Sequence, residues 1–198
     1  CIRDRYDAMR TAEAVKEVDP HIKVLIGGPH VTFLAEETLR ECPHFDVAVM
    51  GEGEITACEL MKAFEKGIPL KKVKGIAFRS GDRVVVTPPR PLIQNLDEIP
   101  FPARHLLPMD KYTVLGQQTV IGHVMSSRGC PFRCIFCSSS RIFGRVWRGR
   151  SPKNVVDEIE ELCDKWKVRH VEFADDTFTL SMKRAEEIAK EIIRRGLD

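Results

Sequence analysis

Ser126-Ser127-Arg128-Gly129-Cys130-Pro131-Phe132-Arg133-Cys134-Ile135-Phe136-Cys137 is the stretch from which the rest of the chain can be read. Three cysteines fall within eight residues, separated by three residues and then by two. Thiols this close together point to a metal or cluster that holds them. Zinc is the first rival, but a structural zinc site is closed, tetrahedral and takes four ligands. The next cysteine, Cys163, falls on the apolar side of a predicted helix, and His123 lies inside a predicted strand. Three thiolates without an evident fourth partner suit a four-iron cluster with one iron left open. On the residues alone, free thiols, a structural zinc domain and a four-ligand electron-transfer cluster remain as alternatives. The spacing is not that of the ferredoxin runs.

The flanking sequence places this loop. Thr119 to Met125 (TVIGHVM) is apolar and β-branched, a predicted buried strand that ends where the loop begins. Ser151 and Pro152 mark a helix start. Val155, Ile159, Leu162, Cys163 and Trp166 share one face of that helix. Arg169 to Ala174 reads as the next strand, ending in Asp175-Asp176-Thr177, and Ser181 caps a last helix with Met182, Ala185, Ala189, Ile192 and Ile193 as its apolar side. Strand, loop, helix, strand, loop, helix is the opening of a βα barrel, whose chemistry sits at the C-terminal strand ends. The basic run Arg141, Arg145, Arg148, Arg150 with Trp147 reads as a solvated loop or as contacts to carboxylates.

Upstream, residues 5–18 carry Tyr6, Met9, Ala12 and Val15 at helical spacing. Ile22 to Ile26 is a short strand running into Gly27-Gly28-Pro29-His30, and Leu34 to Glu41 a short helix. Asp46 to Met50 is a second strand, running into Gly51-Glu52-Gly53-Glu54. Ile55 to Lys66 is a helix with Ile55, Cys58, Met61 and Phe64 on one face. This alternation predicts a parallel sheet covered by helices, with ligands bound beyond the carboxyl ends of the strands. Both Gly-rich turns lie at those ends. Gly75 to Thr87 predicts a hairpin around Ser80-Gly81-Asp82, with no partner evident. Six prolines between Pro88 and Pro108 make an extended connector, whose Leu92, Ile93, Leu96, Ile99 and Phe101 predict that it packs on something.

The cysteine spacing, with aromatic Phe136 before the last cysteine, resembles the cluster loop of the radical S-adenosylmethionine (SAM) enzymes. The GGPH and GEGE turns upstream, and the Pro-rich run, resemble the cobalamin-binding members of that family. The resemblance implies that Cys130, Cys134 and Cys137 ligate a [4Fe-4S] cluster whose fourth iron binds the amino and carboxylate groups of SAM. It places Phe136 beside the SAM adenine and Asp175 or Asp176 against the SAM amino group, although the family's glycine-glycine-glutamate form is absent. It makes Gly27, Gly28, His30, Gly51, Glu52 and Gly53 the cobalamin contacts. His30 lacks the Asp-x-His-x-x-Gly context of a cobalt ligand and is expected beside the corrin rather than on the metal. Reductive cleavage of SAM would yield a 5′-deoxyadenosyl radical, leading to methyl transfer or to radical cyclisation or oxidation of a small-molecule substrate. The implied partner is an electron donor such as a flavodoxin or ferredoxin. The transfer-RNA methylthiotransferases share the spacing, but their additional cysteine cluster has no counterpart in Cys1, Cys42 and Cys58.

The expected organisation is the C-terminal part of a Rossmann-like cobalamin domain over residues 1–70, a hairpin and connector over 71–118, and the start of a radical SAM partial barrel over 119–198. The sequence starts at Cys1 and stops after a helix, and so reads as a piece of a longer enzyme, too small a part of the barrel for turnover. Its 31 basic and 29 acidic residues give a net charge of +2, too little to argue for nucleic acid or a membrane surface. Seven cysteines, four of them scattered, suit a reducing compartment, the cytoplasm, rather than a disulfide framework.

Overall fold

A computed structural model describes residues 2–112 and 121–197, the side chains of residues 2, 3 and 110 excepted. Cys1 and the start of the strand expected from Thr119 lie outside the described residues. The chain divides into two compact units, Cys1–Leu92 and Ile93–Asp198.

In the first unit α1 (Ile2–Val18), β1 (Leu25–Ile26), α2 (Pro29–Glu41), β2 (Val47–Val49) and α3 (Glu54–Lys66) follow the predicted alternation. β1 and β2 pair in parallel, Leu25 opposite Val47. The hairpin β3 (Ile76–Ser80) and β4 (Arg83–Val86) continues the same sheet: β2 pairs antiparallel with β3, giving the order β1-β2-β3-β4. The sheet is therefore mixed, and the hairpin has its partner. Ser80 pairs with Arg83, so the turn is the two residues Gly81-Asp82 rather than three, with Gly81 at a φ of 59°. Arg79 fastens the hairpin to the end of α2. Its guanidinium donates to the carbonyls of Leu39, Cys42 and Phe45, taking up oxygens that a helix end leaves free.

Two readings of this unit change. α2 starts directly at Pro29, with Gly28 as its N-cap at a φ of 96°, and bends at Leu34, so Pro29 and His30 belong to the helix and not to a turn. Proline at the first helical position loses no bond, because that N–H has no partner in the helix. α3 buries Thr56, Leu60 and Ala63, whereas Ile55, Cys58 and Met61 of the predicted face are exposed. Asp46 ties the first strand to α1 by accepting from Lys16 Nζ at 2.7 Å and Val24 N at 2.8 Å. Burial opposes ionisation of Asp46, but Lys16 and the Val24 amide hold its carboxyl below the ordinary range.

The second unit is built on β5 (Ile121–Val124) and β8 (His170–Phe173), which pair in parallel, Val124 opposite Phe173. Between them come β6 (Ser127–Arg128), the cysteine loop, α4 (Ser139–Ile142), β7 (Arg148–Gly149) and α5 (Pro152–Trp166); α6 (Met182–Arg195) follows β8. The short ribbon β6–β7, antiparallel, closes the base of the cysteine loop and has no counterpart in the sequence reading. Val124, Val155, Val156, Ile159, Leu162, Val168 and Ile188 form the core, with Cys163 and Trp166 packed against it. α6 turns Arg184 and Ile188 inward, while Met182 and Ile193 of the predicted apolar side are exposed. Gly122 lets α5 and Val168 approach the strand: a Cβ there would lie 3.0 Å from both Leu162 and Val168. The connector from Ile93 onward packs on this unit through Arg104, Asp97 and the Ile93 carbonyl. Among the described residues no helix is long and apolar enough to cross a membrane.

Candidate functional site

The loop carrying Cys130, Cys134 and Cys137 leaves the C-terminal end of β5 by way of two buried serines. Ser126 is 0% and Ser127 2% exposed. Both give their hydroxyls to Asp175, at the end of the neighbouring β8, and Ser126 N donates to the same carboxylate at 2.6 Å. The ends of the two parallel strands are thus locked together at the point where a βα barrel places its chemistry. Arg184 reinforces the lock from α6 by donating to the carbonyls of Ser126 and Arg150. Burial holds its guanidinium below the ordinary value, with Asp175 acting in the opposite sense.

Gly129 fixes where the loop begins. It has a φ of 86°, and a Cβ on it would lie 2.3 Å from the Val146 carbonyl oxygen, so no side chain fits. Cys130 N donates to Gly144 O at 3.2 Å, and Cys130 Sγ lies 3.6 Å from Thr177 Oγ1. The first cysteine is therefore held against the β8 end. Cys134 and Cys137 are exposed, as are Phe132, Ile135 and Phe136; at 91% exposure Phe136 is not a core aromatic. The structure does not draw the three thiols together: among the described residues no group of three His, Cys, Asp or Glu side chains is arranged to hold a metal ion. The donor set nevertheless fits an iron–sulfur cluster. All three are free thiols on one loop, soft ligands without a disulfide between them. Cys163 is free too, but burial pushes its thiol up, away from the thiolate form that a metal binds.

Asp176 is exposed, and among the described residues no hydrogen bond or ion pair occupies its carboxylate, in contrast to Asp175. In the basic run Arg141 and Arg145 are exposed, while Arg148 and Arg150 make structural contacts. Arg148 is 5% and Arg150 9% exposed; Arg150 donates to Glu158, and Arg148 to the carbonyls of Ile93 and Phe143. Glu158, 1% exposed, also receives Arg104. Sequence reasoning missed this buried Arg104–Glu158–Arg150 group, Arg184 and the two serines. The one signal available was the polar Ser126-Ser127 pair directly after an apolar strand. On the face of the strand pair opposite α5, His123, His170 and Glu172 cluster, with Glu172 3.8 Å and 3.5 Å from the two histidines.

In the first unit the Gly-rich turns also lie at the C-terminal ends of parallel strands. Thr32 joins them: its hydroxyl donates to Gly28 O at 2.9 Å and accepts from Gly51 N at 3.0 Å. Gly28 and Gly51 need glycine for their positive φ, 96° and 69°. Gly27 and Gly53 do not. A Cβ at either would meet its nearest neighbour at 3.8 Å, an ordinary contact, so nothing among the described residues demands glycine there. Glu52 is 6% exposed. His30 Nε2 is buried without a hydrogen-bond partner among the described residues. Bare backbone at Gly27 and Gly53, and in the same unit a buried polar atom still owed a partner, fit a large ligand rich in amide groups.

Residues 4–61 match the B12 binding domain model, and residues 124–198 match the Radical SAM superfamily model. The chain belongs to the B12-binding radical SAM proteins. The cofactors of this family are a [4Fe-4S] cluster, SAM and cobalamin. The chain is 50% identical to the uncharacterized methyltransferase PH0819 of Pyrococcus horikoshii over 98% of its own length and 42% of the relative's. It is 39% identical to the anaerobic magnesium-protoporphyrin IX monomethyl ester cyclase of Rubrivivax gelatinosus over 97% of its length and 35% of the cyclase. Among solved structures, the radical SAM methyltransferase TsrM of Kitasatospora setae, with tryptophan and a SAM analogue bound, matches with a TM-score of 0.74 at 19% identity. That match covers 96% of this chain and 36% of the other. The chain thus spans less than half the length of these relatives.

Proposed function

We propose that these residues supply the cluster loop, the SAM carboxylate and part of the cobalamin cradle of a methyltransferase acting on a small molecule. The observation that carries this reading is the lock between Ser126, Ser127 and Asp175. It ties the strand end that leads into the three-thiol loop to the strand end that carries Asp176, next to Asp175 in sequence. When bound, the cluster would supply the low-potential electron for reductive cleavage of SAM, and cobalamin would supply the methyl group. The chain's own residues bind and orient. Cys130, Cys134 and Cys137 hold three irons. Asp176 meets the SAM ammonium by a charge-assisted bond, and Asp175 positions the loop without touching substrate. Phe136, exposed on the loop, covers the adenine. Gly27, Gly28, Gly51 and Gly53 admit cobalamin close to the backbone, with His30 and Glu52 bonding its amide periphery.

Methyl transfer is the first reading because the 50% identical relative is named a methyltransferase. Radical oxidative cyclisation is the second, carried by the 39% identical cyclase. A flavodoxin or ferredoxin would donate the electron, in a reducing cytoplasm that keeps the thiols free. Two parallel strands cannot enclose a substrate, so these residues alone are proposed to hold cofactors without sustaining turnover. The test is anaerobic reconstitution with iron and sulfide. About four irons per chain, as one [4Fe-4S] cluster requires, are expected in the unaltered chain and in Cys163→Ala. Iron should be lost in Cys130→Ala, Cys134→Ala and Cys137→Ala. Full iron in those three variants, or its loss in Cys163→Ala, would contradict the assignment.

A further inference from the structure

We propose that Thr177 is a positioning residue for the iron–sulfur chemistry: its hydroxyl donates a hydrogen bond to Cys130 Sγ and raises the reduction potential of the cluster. The proposal rests on the reading of Cys130 as an iron ligand. Thr177 Oγ1 lies 3.6 Å from Cys130 Sγ, and with a free thiol either atom can be the donor. A sulfur bound to iron carries no proton, so there the hydroxyl must donate.

Both ends of this contact are set by the fold. Cys130 follows Gly129, where a Cβ would lie 2.3 Å from the Val146 carbonyl oxygen, and its own N–H is bonded to Gly144 O. Thr177 sits between Asp175, anchored to Ser126 and Ser127, and Phe178, whose ring stacks on Phe173 with centroids 4.4 Å apart. Cys134 and Cys137, by contrast, lie exposed on the outer part of the loop. Of the three thiols, Cys130 is the one for which the protein supplies a side-chain donor among the described residues.

Hydrogen bonds to the cluster sulfurs are among the factors that set its potential. Reduction adds negative charge to the iron and its thiolates. A donor aimed at one thiolate therefore stabilises the reduced form more than the oxidised form. Thr177→Val keeps the branched shape and removes the donor. Thr177→Ser keeps the donor.

The experiment is a redox titration of the reconstituted 198-residue chain, followed by electron paramagnetic resonance, with iron content measured in parallel. Thr177→Val is expected to retain its iron and titrate at a more negative potential. At fixed poise its reduced fraction should fall by up to about tenfold, which is about 59 mV for one electron. Thr177→Ser should titrate with the unaltered chain. An unchanged midpoint in Thr177→Val overturns the proposal while leaving Cys130 as a ligand. Loss of iron in Thr177→Val but not in Thr177→Ser assigns the hydroxyl to assembly instead, and overturns the effect on potential. An unaltered chain that takes up no iron removes the ligand assignment itself and the proposal with it.

Discussion

Asp175 and Asp176 are sequence neighbours with opposite surroundings. Asp175 accepts three hydrogen bonds from Ser126 and Ser127, whereas Asp176 points its carboxylate to solvent. A carboxylate already satisfied by three donors has little to offer an ammonium group, and an open one has everything. On the loaded chain, Asp176→Asn is expected to weaken SAM binding several-fold by calorimetry while leaving the melting temperature unchanged. Asp175→Asn should lower the melting temperature, because a neutral amide is a poorer acceptor for buried hydroxyls. The reverse pattern would exchange the two roles. The sequence could place both aspartates at a strand end but could not separate them, because what distinguishes them is a partner 49 residues earlier. In the sequence Gly129 is legible only as a member of the cysteine stretch. That a Cβ there would collide with the Val146 carbonyl depends on how the β6–β7 ribbon closes.

At the scale of elements, helices and parallel strands were legible because apolar spacing and caps are local signals. Ser151 accepts from Asn154 N and Ser181 from Arg184 N, as their positions predicted. The faces of α3 and α6 were not, because apolar Cys58, Met61 and Ile193 turn outward while Thr56 and Arg184 turn in. The hairpin's attachment to β2 was not either, since strand pairing is non-local. Which arginines of the basic run meet a carboxylate was not legible either: Arg150 is buried against one, while Arg141 and Arg145 are exposed. Glu158 is that carboxylate, 1% exposed on α5 between Arg104 and Arg150. Removing one member of a buried charge group leaves the others uncompensated, at a cost of roughly 3–5 kcal/mol. Glu158→Ala should lower the denaturation midpoint of the second unit accordingly. A loss below about 1 kcal/mol, the scale of an exposed pair, would mean that water reaches these arginines.

At the scale of the whole molecule, two units each place their unusual residues at the C-terminal ends of parallel strands, and each matches a different half of one family's cofactor machinery. The central claim is that three cysteines leave one iron of the cluster open to SAM. Electron paramagnetic resonance of the reduced, reconstituted chain, recorded with and without SAM, tests it most directly. The account predicts a four-iron signal whose g-values shift when SAM is added. A four-iron signal indifferent to SAM would contradict it.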